Sequence, residues 1–198
     1  MNILKMKYIK KEIRILGIDD SPFNKFKEKK VLVVGTIFRG GEYIDGLLSC
    51  YVDIDGGDAT TKLIKMIRKT KHLGQLQCIM LDGIAFGGFN IIDIQQLSKK
   101  TKLPVIVIIR RRPNLHKIEE VLKKIRQQNK IKLLKKAGKV NRVKIKNRNI
   151  YFQNFGISVD LAEKIIKKTS THSLIPEPIR AAHLIASGIK LGESRGRA

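Results

Sequence analysis

The sequence predicts an α/β fold built on a mixed central sheet, and three observations carry that reading. Apolar runs of strand length crowd the first quarter of the chain, a helical period sets in after Asp58, and strand-like and helix-like segments alternate from there on. The first run, Ile13 to Asp19, is closed by the turn-forming Asp19-Asp20-Ser21-Pro22. Val31 to Phe38 is the second strand and Tyr43 to Asp55 the third, and the Gly40-Gly41 pair between them reads as a hairpin turn. Asp58 is placed as the N-cap of a helix over Ala59 to Leu73, where Leu63, Ile64 and Ile67 recur at helical spacing.

Beyond that helix, Gln77 to Asp82 reads as a strand, Ile91 to Thr101 as a helix, and Pro104 to Ile109 as a strand with the continuous apolar run of a parallel sheet's interior. Leu115 to Gln128 is a basic helix on a stripe of Ile118, Val121, Leu122 and Ile125. A strand near Ile150 to Phe155, a helix from Ser158 to Lys168 and a last helix from Pro176 to about Lys190 complete the order, with Arg195 and Arg197 in a basic tail. Three antiparallel strands followed by helix, strand, helix, strand, helix is the element order of the ribonuclease-H-like architecture, with helices on both faces of the sheet. At 198 residues the chain is expected to form a single domain over residues 1–198.

Charge points to the partner. The chain carries 41 Lys and Arg against 17 Asp and Glu, a formal net charge of +24, so a polyanion is expected to bind it, and nucleic acid leads. Between Leu115 and Ile150 there are 13 basic residues against Glu119 and Glu120, and Arg110-Arg111-Arg112 leads into that stretch. Arg110, Arg111, Arg112, Lys123, Lys124 and Arg126 are the expected contacts to a nucleic-acid backbone; such contacts hold but do not read sequence. The opening Met1 to Lys7 has scattered charges and no signal-peptide core, and the apolar run Val105 to Ile109 is far short of the ~20 residues of a membrane span. Cys50 and Cys78 lack metal-ligand spacing and read as reduced thiols, so the expected location is cytoplasmic, with no membrane partner.

In so basic a chain the position of each acid matters. Asp19 ends the first strand, Asp53 and Asp55 the third, and Asp82 the first parallel strand, so carboxylates from three strands can converge at one sheet edge. Hard divalent cations take oxygen ligands, and converging carboxylates on a basic surface are the arrangement that hydrolyses phosphodiesters. Alternation sends Asp19 and Asp20 to opposite faces; Asp19 is chosen. Each of these acids taken alone also fits a solvated turn. Gly83, Phe86, Gly87, Gly88 and Phe89 form a glycine-rich segment where backbone can approach a ligand and rings can stack on a base, or else a turn with both rings in the core. His183 on the last helix can bind metal or move a proton if that helix covers the acidic edge.

Four strings occur together: Gly17-Ile18-Asp19-Asp20-Ser21, Asp55-Gly56-Gly57-Asp58-Ala59-Thr60, Gly87-Gly88-Phe89-Asn90-Ile91-Ile92-Asp93, and Ile175-Pro176-Glu177-Pro178-Ile179-Arg180-Ala181-Ala182-His183. With the closing Gly192-Glu193-Ser194-Arg195-Gly196-Arg197-Ala198, they resemble the archaeal endonuclease dU family, relatives of endonuclease V. That resemblance implies a ribonuclease-H-like fold and a Mg²⁺-dependent endonuclease, Mn²⁺ being the other candidate cation, that nicks DNA beside a deaminated base, deoxyuridine by the family's name. It places the first-strand aspartate at Asp19, the Asp-Gly aspartate at Asp82 and the histidine after Pro-Glu-Pro at His183. Where endonuclease V has a glutamate, this chain offers Asp53 or Asp55, and Asp55 is taken because it stands in the Asp-Gly string. The implied ligand set is Asp19, Asp55 and Asp82, with His183 assisting proton transfer. Ser21-Pro22-Phe23 is only a loose stand-in for the relative's base-separating wedge. The alternative is a non-catalytic DNA- or RNA-binding protein on the same fold.

Overall fold

The computed structural model describes residues 8–195, so Met1 to Lys7 and Arg197 lie outside the described residues. In chain order the elements are β1 (Arg14–Asp20), β2 (Lys30–Arg39), β3 (Tyr43–Asp53), α1 (Ala59–Lys69), β4 (Cys78–Asp82), β5 (Ala85–Phe86), β6 (Asn90–Ile91) and α2 (Ile94–Thr101). They continue as β7 (Val105–Ile109), α3 (Leu115–Lys124), α4 (Ile131–Lys136), β8 (Asn141–Ile145), β9 (Arg148–Phe155), α5 (Val159–Thr169) and α6 (Glu177–Leu191). Seven strands make one mixed sheet in the order β3-β2-β1-β4-β7-β9-β8, the ribonuclease-H-like arrangement, and β5 and β6 form a separate small hairpin. The meander β1-β2-β3 is antiparallel, whereas β1, β4 and β7 run parallel, so their carboxyl ends share one edge.

Alternation along β1 sets the two layers. Leu16 and Ile18 enter the core beneath α1 and α2, with Leu63, Ile67 and Leu97; Ile13 and Ile15 enter the core beneath α5 and α6, with Ile165, Ile166 and Ile179. A third, smaller cluster joins α3 and α4 to the β5–β6 hairpin through Ile91, Leu122, Ile131 and Leu134. No helix among the described residues is long and apolar enough to cross a membrane.

Several boundaries differ from the sequence expectation, each for a local reason. The third strand stops at Asp53, and Asp55 lies in a turn at φ 54°, a left-handed conformation where strand alternation no longer applies. Asp58 does occupy the N-cap position of α1 but makes no side-chain cap bond; its Oδ1 instead accepts from the Asp53 N–H and from Asn90 Nδ2. The second helix begins at Ile94, because Asp93 caps it by accepting from the Gln96 N–H. The basic helix ends at Lys124 rather than Gln128, and α4 and β8 occupy a basic stretch to which the sequence assigns no element. Cys78 is buried and Cys50 half-buried, and both are free.

Candidate active site

Register brings the first two acids together. Gly17 pairs with Met80 and Ile18 with Leu81, so the next residues of the parallel pair, Asp19 and Asp82, come side by side where both strands end. Both follow the parity of the residues facing α5 and α6, which is the face His183 reaches from α6. The approach of α6 depends on Gly17, where a Cβ would collide with the backbone of Pro178. Bare backbone lets the Pro-Glu-Pro turn lie directly on β1, where the Thr36 hydroxyl donates to the Pro178 carbonyl at 2.5 Å. Five residues along α6, His183 Nδ1 meets Asp19 Oδ2 at 2.8 Å.

Asp19, Asp82 and His183 each offer a ligand atom, and these atoms all lie within 4.8 Å of one another. They line a cavity of about 470 Å³ at the carboxyl edge of the sheet, together with Asp20, Pro22, Phe23 and Arg110. Arg110 Nη2 donates to Asp82 Oδ2 at 2.5 Å. Burial pushes the Asp19 carboxyl up to about 7, aided by the neighbouring Asp82 and Asp20 charges and opposed by the His183 hydrogen bond. Burial likewise raises Asp20 to about 6, against the bond its Oδ2 accepts from the Gly87 N–H. Its bond to Asp19 holds the His183 imidazole above the usual histidine value. His183 Nε2 is buried with no partner among the described residues.

This donor set fits a divalent cation. Two carboxylates and one imidazole nitrogen converge from three elements, burial and the neighbouring acids disfavour the unpaired charge of Asp19, and one ring nitrogen is unmatched. Asp19 and Asp82 are the residues that would hold it, with the unmatched His183 Nε2 beside them for proton transfer.

Other expected site residues lie elsewhere. Asp55 is outside this cluster: its Oδ1 accepts from the Phe89 N–H at 2.8 Å, so its carboxylate fastens the β5–β6 hairpin rather than joining the acidic edge. The same hairpin corrects the stacking role expected of Phe86, whose ring is fully buried in the core beneath α1 and α2. Phe89 is half-buried against the α3–α4 cluster, Gly87 is spent on Asp20, and Gly88 at φ 83° sits where a Cβ would strike the Asp55 carboxylate. Gly83, also at positive φ, faces open space. Arg111, Arg112, Lys123, Lys124 and Arg126 are exposed, whereas Arg110 is drawn into the cavity by Asp82.

Sequence reasoning sets Asp20 aside in favour of Asp19 and misses Lys130. Asp20 leaves β1 on the face opposite Asp19, as alternation demands, yet it lines the same cavity because the strand ends there. Lys130, in the basic stretch, is buried, and its Nζ donates to the carbonyls of Asp55, Gly56 and Phe89, tying the turn after β3 to the hairpin beside the site. No local signal distinguishes it from its solvated neighbours.

Comparison with known proteins decides the family. The family model described as Endonuclease dU matches residues 11–190. The chain belongs to the endonuclease dU family. A UPF0215 protein of Methanothermobacter thermautotrophicus is 50% identical over 192 residues, covering 96% of this chain and 94% of that one. Another, of Methanosarcina mazei, is 51% identical over 195 residues, covering 96% and 97%. Among solved structures, an Archaeoglobus fulgidus protein superposes with TM-score 0.81 at 39% identity, over 90% of this chain and 98% of that one. Endonuclease V of Ciona intestinalis, solved with a 24mer DNA containing an inosine followed by a ribo-adenosine, superposes with TM-score 0.56 at 16% identity, over 87% and 83%. At that identity the likeness joins this endonuclease dU family chain to endonuclease V in fold.

Proposed function

We propose that the chain is an endonuclease that hydrolyses a phosphodiester of DNA beside a deaminated base, deoxyuridine, at the Asp19–Asp82–His183 edge with a divalent cation, Mg²⁺ or Mn²⁺. The observation that carries the reading is the cluster itself: a buried and a half-buried carboxylate and an unmatched imidazole nitrogen in an open cavity, on a chain of net charge +24. Family membership and the shared endonuclease V fold support nuclease chemistry over simple binding. A cation bound there would activate a water molecule and neutralise charge on the phosphate.

The chain's own residues supply the rest. Ionised Asp19 accepts from His183 Nδ1–H, which fixes the ring and leaves Nε2 free to receive the attacking water's proton or to return one to the leaving oxygen. As the water oxygen bonds to phosphorus, the phosphorus–oxygen bond on the leaving side breaks and that oxygen takes up the proton. Arg110 holds the Asp82 carboxylate in place and sets a positive charge beside the cavity.

The test is a nicking assay on duplexes containing uracil, hypoxanthine or normal bases, with Mg²⁺, Mn²⁺ or chelator, on wild type beside Asp19→Asn and His183→Ala. Uracil-selective nicking that chelator and both substitutions abolish is expected. Intact DNA throughout, with salt-sensitive binding retained, would make the protein a binding module.

A further inference from the structure

A second cavity, of about 430 Å³, opens where the chain leaves β7. Arg112, Lys139, Arg142 and Tyr151 line it, with Leu115 at one wall. Its chemistry differs from that of the acidic edge: no carboxylate lines it, and none of the three cations has an acidic partner among the described residues. Arg14, Arg39 and Arg180 each pair with an acid, whereas these three cations surround one hollow that no carboxylate lines, a surface suited to an outside anion.

The floor is set by the sheet. Tyr151 stands opposite Ile109 on β7 and opposite Arg142 on β8, so an aromatic ring and a guanidinium lie side by side on one face. The far wall is the segment Gly138 to Val140, held because Gln153 Nε2 donates to the Gly138 carbonyl at 2.8 Å. The hollow has the volume of a small-ligand site. It is also continuous in chain with the acidic edge: Arg110 lines that edge and Arg112, two residues on, lines this one, a reach of at most ~7 Å of extended backbone.

We propose that this cavity seats an unpaired nucleotide of the DNA strand that passes over the acidic edge, its base stacked on Tyr151 and its flanking phosphates held by Arg112, Lys139 and Arg142. The assignment of strand and position rests on the nuclease reading of Asp19, Asp82 and His183. A π face accepts any base, so the site anchors the strand without reading its sequence, while the acidic edge acts one short step away.

The experiment is fluorescence anisotropy with a labelled single-stranded oligonucleotide and the full chain in chelator, where binding is measured without cleavage, followed by single-turnover nicking with Mg²⁺. Tyr151→Leu is expected to weaken binding by roughly 5- to 150-fold, and Tyr151→Phe, which keeps the ring, to restore it. Arg112→Ala with Arg142→Ala is expected to flatten the dependence of log affinity on log salt by about 0.7 for each phosphate that is no longer neutralised. Thermal melting of each variant separates lost folding from lost binding. Affinity and salt slope unchanged in all of these variants would overturn the proposal, as would displacement of the oligonucleotide by free deoxynucleoside monophosphate at matched nucleotide concentration. If wild type binds through Tyr151 but cuts nothing, the nuclease reading falls and the nucleotide site stands; if it cuts and the variants bind as wild type does, the reverse holds.

Discussion

The two ends of β1 treat the same residue type in opposite ways. At the amino end, Asp45 from β3 is clasped by Arg14 and Arg39, and those bonds hold its carboxyl below the ordinary aspartate range. At the carboxyl end, Asp19 is buried and Asp20 half-buried; both lie beside Asp82 and are held well above that range. A chain with 41 basic residues has no shortage of cations for these acids, yet it places one guanidinium, Arg110, among three carboxylates there. An end that neutralises itself serves the fold, and an end that stays short of positive charge is arranged for something that arrives from outside. That contrast, more than the presence of acids at strand ends, separates the candidate site from its surroundings.

The sharpest way to break the comparison is to remove one acid from each end. Asp82→Asn is expected to lower the single-turnover nicking rate by about 10³-fold or more, the loss of several kcal/mol of transition-state stabilisation. Asp45→Asn is expected to leave that rate within twofold of wild type. Equal losses from the two substitutions would show that both ends act only through stability.

A smaller effect sharpens the same contrast through pH. Asp19 and Asp20 titrate near 7 and 6 in the folded chain against 3.8 unfolded, so the folded state binds the extra protons, and metal-free stability falls as pH rises from about 4 to about 7. The raised histidine at position 183 adds in the same direction, its contribution being lost as pH passes its folded value. Asp45 has the opposite sign: its contribution is present above the unfolded value and fades as pH drops through the depressed folded one. Melting temperature measured in chelator across that range is expected to fall for wild type and to fall less for Asp19→Asn. A profile unchanged by Asp19→Asn would show that the charge deficit at this edge has no energetic consequence.

Sequence periodicity reached the architecture because the opening meander and the β4 and β7 runs are long, apolar and bounded by glycine or proline. It reached Asp19 and Asp82 because both close regular strands, where alternation and register still hold. It misplaced Asp55, two residues past the end of β3, where a left-handed turn replaces the pleat and aims the carboxylate at the hairpin. The outer hairpin was half seen: β9 carries an apolar run, but β8 hides Val143 and Ile145 between Arg142, Lys144 and Lys146, and charge density obscured the period of two. The sequence leaves Phe86 open between stacking and the core, and Lys130 out of reach, since their roles depend on core contacts and carbonyls supplied from distant parts of the chain.

Whether the carboxyl edge of β1 is built to receive a cation is tested most directly by a Mn²⁺ titration followed by electron paramagnetic resonance, on wild type beside Asp19→Asn, Asp82→Asn and Asp45→Asn, without nucleic acid. Saturable loss of the free-ion signal is expected for wild type and Asp45→Asn, and weakened or absent binding for Asp19→Asn and Asp82→Asn. Binding that is the same in all four proteins, or absent in wild type, would contradict a metal site at that edge.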